Sequence, residues 1–254
     1  MQKAAVELAS SHVTFTFSPV KTPGQLALCH ALVIPGGEST TMALIAERSG
    51  LLEPLRRFVK VDRFPTWGTC AGMILLAESA NRTKKGGQEL IGGLDVRVNR
   101  NHFGRQVESF SAPLRLRFLG DDEKEFLGVF IRAPVVEALL PGKLDVAPAE
   151  VEVRAPALGQ EARGEVEILA ELHRGGLPKE GLDKADRPLA DGMVRVVDKE
   201  REREREGGDA RVVAVRQGNV VGTSFHPELT GDARMHRWWL DGVAADALRR
   251  AAAS

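Results

Sequence analysis

Gly68-Thr69-Cys70-Ala71-Gly72 has the clearest chemical content in the chain. A thiol stands between two glycines, after a strand-like stretch and ahead of an apolar run. This is the pattern of a nucleophile elbow, with cysteine where many hydrolases carry serine. The apex of a sharp strand-to-helix turn has strained backbone angles, and bulky neighbours would clash there. The following helix would aim its N-terminus at the sulfur, favouring a thiolate and a developing oxyanion. A buried structural cysteine in a glycine-rich turn fits the same residues.

A nucleophilic thiol needs a base, and histidine is the usual one. Ser224-Phe225-His226-Pro227-Glu228 supplies a histidine at the end of a strand-like run, with a carboxylate two residues on. In an extended segment such residues face the same way, so Glu228 can orient His226. A surface loop with a helix-capping carboxylate is the alternative. Pro35-Gly36-Gly37-Glu38-Ser39-Thr40-Thr41 brings backbone N–H groups close to a ligand. Ser39 can cap the helix that follows, and an ordinary capped Gly-Gly turn also fits. Asn99 to Gln106 is dense in polar groups, and Arg132 ends the strand-like Phe130-Ile131. Guanidinium groups bind carboxylates bidentately, although ion-paired surface arginines have the same appearance. His102 reads as solvated or structural, and Cys29 as an inert buried thiol. No Cys/His cluster has metal-ligand spacing, so no metal site and no cofactor are expected.

These residues must be positioned by regular elements. Lys3 to Ser10 reads as the end of an amphipathic helix, and His12 to Phe17 alternates like a strand. Ala31 to Ile34 is a short apolar run of the kind buried on both faces of a sheet. Helices are predicted at Ser39 to Glu47, Ala71 to Ser79 and over most of Leu229 to Ala253. Further strands are predicted at Thr66-Trp67, Val129 to Arg132, Val212 to Val215 and Val220 to Phe225. Short strands alternating with helices predict an α/β three-layer sandwich with a mostly parallel central sheet flanked by helices. Residues 1–254 read as a single domain carrying a charged, Gly- and Pro-containing insertion at about 143–209. That stretch includes the alternating-charge run Arg201 to Glu206, which reads as a solvated face or disordered insert. Glu165 to Leu172 within it has strand character. The adjacent Trp238 and Trp239 are expected to pack partly into the core. There is no internal repeat.

Composition narrows the function classes. The 254 residues carry 35 basic and 35 acidic side chains. That balance argues against non-specific nucleic-acid binding, which needs a basic surplus. No apolar run reaches the ~18 residues of a membrane span, and the first residues lack a signal-like apolar core. Two cysteines cannot make a disulfide framework, so a reducing, cytoplasmic setting is expected.

Together PGGESTT, GTCAG, RNHFGRQ, FIRAP and SFHPELTGD resemble the class I glutamine amidotransferases. More closely, they resemble the glutaminase subunits of pyridoxal 5′-phosphate synthase, RNHFGRQ and FIRAP being the segments that separate that branch. The likeness spans about Val6 to Gly142 and Val212 to Leu240. The insert resembles the longer loops of fungal members loosely. The resemblance implies a Cys70-His226-Glu228 triad that hydrolyses L-glutamine to glutamate and ammonia. It implies oxyanion donors at Gly37 and Ala71. It implies substrate contacts at Gly36, Gly37, Glu38, Ser39, Arg100, Ile131 and Arg132. It also implies a partner synthase subunit that receives the ammonia, and docking that raises a weak basal activity.

The sequence departs from that family at its start. Members open with a GVLALQG-type central strand, and here that strand is expected to be missing, leaving a slot inside the sheet. Losing three or four buried aliphatic side chains would cost roughly 5–12 kcal/mol. That is comparable to the ~5–15 kcal/mol that holds a whole domain together. The chain as it stands is therefore expected to be of poor stability and impaired activity. Two alternatives follow: a non-catalytic subunit that still binds the synthase, and a glutaminase that serves another biosynthetic enzyme. A lone cysteine hydrolase would not need the H-P-E segment.

Overall fold

The computed structural model describes residues 1, 13–81, 88–100, 109–120, 124–140, 152–158, 164–173, 194–195 and 210–253. The predicted helix at Lys3 to Ser10 lies outside them, as do His102 and the rest of 101–108. Five helices and twelve strands form in the described residues. The strands are β1 (Leu32–Ile34), β2 (Thr66–Thr69), β3 (Ala77–Asn81), β4 (Leu94–Asn99), β5 (Ser109–Leu114) and β6 (Phe126–Ile131). They continue with β7 (Val135–Leu139), β8 (Glu152–Arg154), β9 (Glu167–Leu172), β10 (Val194–Arg195), β11 (Arg211–Gln217) and β12 (Val220–Thr223). The helices are α1 (Pro23–Leu26), α2 (Ser39–Arg48), α3 (Leu52–Lys60), α4 (Ala71–Leu76) and α5 (Arg234–Ala252).

The main sheet has ten strands along the path β1-β2-β12-β11-β7-β4-β3-β8, with β10 against β7 and β9 against β11. β5 and β6 make a separate antiparallel pair. The expectation of a mostly parallel sheet is wrong. Only β1–β2, β2–β12 and β3–β4 run parallel. The pairs β11–β12, β11–β7, β11–β9, β4–β7, β3–β8 and β10–β7 run antiparallel. The cause is the connections. A parallel neighbour needs a crossover of about a dozen residues or more, usually a helix. β1 and β2 have α2 and α3 between them. β11 and β12 have only Gly218 and Asn219, with Gly218 at φ 57°, and they turn back as a hairpin.

Helices cover both faces of the sheet, so the layered part of the expectation stands. Neighbouring residues of β12 divide between the two cores, Val220 going to one and Val221 to the other. Leu52, Leu55, Phe58 and Val59 of α3 pack in the first core. Met235, Trp239, Leu240 and Val243 form one apolar stripe of α5 in the second. Trp239 is buried against Trp67, whereas Trp238 stacks on Phe118 at 4.0 Å.

Other local expectations shift. The apolar run from Ala71 splits, ending as a helix at Leu76 and continuing as β3. Residues 13–17 form no strand, and among the described residues β1 pairs with β2 alone. Parts of 143–209 belong to the sheet, with β8 pairing β3 and β9 pairing β11 over five register positions.

Candidate active site

β2 and β12 run side by side in parallel, with Thr69 opposite Thr223. Cys70 follows β2 immediately, and His226 lies three residues beyond the end of β12. One ladder therefore brings thiol and imidazole to the same end of the sheet. The Cys70 amide donates to the Thr223 carbonyl at 2.7 Å, and the His226 amide donates to the Val129 carbonyl at 2.8 Å. Both backbones are tied across strands before their side chains are considered.

Cys70 sits at φ 51°, ψ −106°, a conformation that side-chain-bearing residues rarely adopt. The flanking glycines make it possible. A Cβ on Gly68 would lie 2.4 Å from the Gly72 carbonyl carbon, and one on Gly72 would lie 2.0 Å from the Ile34 carbonyl oxygen. The elbow therefore packs backbone to backbone on β1. Cys70 Sγ is 3.8 Å from the Ile131 carbonyl oxygen, within reach for sulfur. Arg132, next along, is another positive-φ residue, at 43°.

His226 Nδ1 and Glu228 Oε1 are 2.7 Å apart, so the carboxylate fixes which ring nitrogen faces it. The His226 pKa is pushed up to about 10. Its hydrogen bond with Cys70 acts first and that with Glu228 second, against the opposing effect of burial. Burial works against the Glu228 charge, but the His226 hydrogen bond and the nearby histidines hold its carboxyl below the ordinary range. A charged imidazole, held by the Glu228 carboxylate and facing the Cys70 sulfur, is the arrangement these contacts favour.

Gly36 packs against that ring, a Cβ there meeting His226 Cε1 at 2.4 Å. Glu38, rather than Ser39, caps α2. Its carboxylate accepts from the amides of Thr40 and Thr41 at 3.1 and 2.7 Å and from Thr41 Oγ1 at 2.6 Å. The Thr41 hydroxyl leads these contacts in holding the Glu38 pKa at about 2. Ser39 is the first residue of the helix and is buried. Its hydroxyl reaches Gln88 Oε1 at 3.0 Å, and Arg100 Nη1 reaches the same oxygen at 2.8 Å. Burial lowers the Arg100 pKa to about 10, with Glu38 opposing the shift. The arginine therefore keeps its charge at neutral pH.

The structure thus brings Cys70, His226 and Glu228 together, with Gly36 and Ile131 in contact with that group. It joins Ser39 to Arg100 through Gln88. Gln88 was not anticipated, because a lone amide after a Lys- and Gly-rich stretch gives no pattern to read. Among the described residues no group of His, Cys, Asp or Glu is placed to hold a metal ion. No helix among them is long and apolar enough to cross a membrane.

The sequence profile of the SNO glutamine amidotransferase family matches residues 2–163 and 188–245. This chain belongs to that family. Among its relatives, the probable pyridoxal 5′-phosphate synthase subunit PDX2 of Arabidopsis thaliana is 39% identical over 224 residues. That alignment spans 87% of this chain and 74% of the plant protein. The pyridoxal 5′-phosphate synthase subunit PdxT of Streptomyces avermitilis is 40% identical over 227 residues, covering 89% and 82%. PdxT of Pyrococcus furiosus is 37% identical over 225 residues, covering 88% and 82%. The crystal structure of a glutamine amidotransferase superposes with a TM-score of 0.61 at 31% identity, covering 96% of this chain and 92% of the other. In this SNO-family chain the profile leaves out 164–187, although β9 within that gap is a full partner of β11.

Proposed function

We propose that this SNO-family protein hydrolyses glutamine to glutamate and supplies the ammonia to a partner subunit that makes pyridoxal 5′-phosphate. The observation that carries the reading is the contact of His226 with Cys70 on one side and Glu228 on the other. The names of the plant, bacterial and archaeal relatives supply the assembly.

The chemistry follows from that contact. Cys70 attacks the side-chain carbonyl carbon of glutamine as a thiolate, and His226 keeps the proton. The carbonyl oxygen becomes an oxyanion, held by the backbone N–H groups of Gly37 and Ala71. His226 then delivers its proton to the departing nitrogen. The C–N bond breaks, ammonia leaves, and a thioester to Cys70 remains. Water attacks that thioester, His226 takes a proton from it, and glutamate departs as the thiolate reforms. Glu228 keeps the ring oriented and stabilises its charged form throughout. Arg100 and Arg132 provide charge for the α-carboxylate of the substrate. Gly36, Gly37, Glu38, Ser39 and Ile131 shape the remaining walls. The likeness of the 143–209 loops to those of fungal members belongs to this reading.

The test is glutamate release by residues 1–254, with and without purified synthase subunit. The expected result is release that the partner stimulates and that Cys70→Ala reduces by about 10⁴-fold or more. Release that survives Cys70→Ala would overturn the triad, and indifference to the synthase would overturn the partnership.

A further inference from the structure

Gln88 stands between two segments that the proposed function places around glutamine. One is the start of α2, carrying Glu38, Ser39 and Thr40. The other is Arg100, directly after β4. The Gln88 side-chain oxygen accepts from Ser39 Oγ at 3.0 Å, Thr40 Oγ1 at 3.2 Å and Arg100 Nη1 at 2.8 Å. Gln88, Ser39 and Arg100 are all more than nine-tenths buried. Gln88 Nε2 is also buried and has no hydrogen-bond partner among the described residues.

Chemistry fixes the orientation of this amide. A guanidinium has only donors, so the amide must turn its oxygen to Arg100 and leave its nitrogen behind. A buried donor without a partner is costly, so the oxygen's three contacts outweigh that loss. An uncharged acceptor also has a particular merit here. It fixes a long, rotamer-rich side chain without neutralising its charge, as a carboxylate would. Arg100 therefore keeps its charge beside the first turn of α2.

We propose that Gln88 is a positioning residue for glutamine binding, locking the Arg100 guanidinium to the first turn of α2. This rests on the reading of Arg100 as a substrate contact. Among the described residues the Gln88 side-chain oxygen meets Ser39, Thr40 and Arg100 rather than Cys70 or His226, so its effect belongs to binding rather than to bond breaking.

The experiment measures steady-state glutamate release with the synthase partner present, for Gln88→Met, Arg100→Met and the double variant, alongside thermal melting of each. Methionine keeps the length and removes the acceptor. Gln88→Met is expected to raise KM about 10-fold, the loss typical of a hydrogen bond to a charged group, with kcat within about 2-fold. In the Arg100→Met background the same change is expected to add less than about 2-fold, because the two act as one unit. Gln88→Asn, which retracts the amide by one methylene, must raise KM in the same sense, and it serves if the methionine variant does not fold. Unchanged KM in the Gln88 variants, a fall in kcat instead, or effects that multiply in the double variant would each overturn the proposal. An unchanged KM in Arg100→Met alone would instead overturn the reading of Arg100 and, with it, this role for Gln88.

Discussion

Gly36 and His226 are in contact so close that a single methyl group could not be inserted between them, since a Cβ on Gly36 would stand 2.4 Å from Cε1 of the imidazole. The glycine turn that opens α2 therefore forms the wall against which the base rests. Glu228 holds the ring from Nδ1. Between them they leave the imidazole little room to rotate away from Cys70.

Gly36→Ala should therefore act on the base while sparing the fold. The ring can move where a backbone could not, so melting is expected to stay within a few degrees of the parent. A displacement of about 1 Å at a reacting group typically costs on the order of 100-fold. We expect a drop of that order in kcat, read by glutamate release, with a smaller change in KM.

The elbow glycine behaves differently. A Cβ on Gly72 would meet the Ile34 carbonyl oxygen at 2.0 Å and its carbon at 2.9 Å, both rigid backbone atoms of β1. Gly72→Ala should destabilise by more than about 4 kcal/mol, the range reserved for overpacked cores and broken backbone geometry. Loss of soluble protein or a collapsed denaturation midpoint is the expected outcome. Gly242, exposed within α5 and with nothing near its missing Cβ, provides the control. Gly242→Ala should stabilise by about 0.5–1 kcal/mol, through helix propensity alone.

The pairing of His226 with Glu228 also sets a pH dependence. His226 has a folded pKa raised to about 10 from an ordinary 6.5. Its contribution to stability is therefore fully present below about pH 6.5 and fades as pH rises through about 10. Glu228 is lowered from 4.5, so its contribution holds above that value and fades as pH falls through the folded pKa. Comparing urea midpoints of the parent and His226→Gln from pH 6 to 10 should show the difference shrinking as pH rises. A difference that grows towards pH 10 would contradict the ion-pair arrangement.

The local chemistry was legible because an elbow, a glycine turn and an H-P-E strand end are short and self-contained. The sheet was harder to read. Val212 to Val215 and Val220 to Phe225 were visible as strands. Gly218-Asn219 between them, a hairpin turn, was the sign that they must run antiparallel. The run from Ala71 to Asn81 shows a second limit. It is apolar from Ala71 to Ala77, and apolarity alone does not separate a buried helix from a buried strand, so the change at Leu76 to Ala77 left no periodic mark. At the site, either Glu38 or Ser39 was chemically able to cap α2. In the structure Glu38 takes the cap, while the Ser39 hydroxyl turns to Gln88.

The pairing of β2 with β12 has a consequence for which changes of length the chain can absorb. One added or deleted residue in either strand would shift Thr69 against Thr223 and carry nucleophile and base out of step. The strands contributed from 143–209 attach instead to β3, β7 and β11. Evolution can lengthen or shorten the connections there without disturbing the alignment of Cys70 with His226, so the fold separates a segment free to drift from a ladder that must keep count.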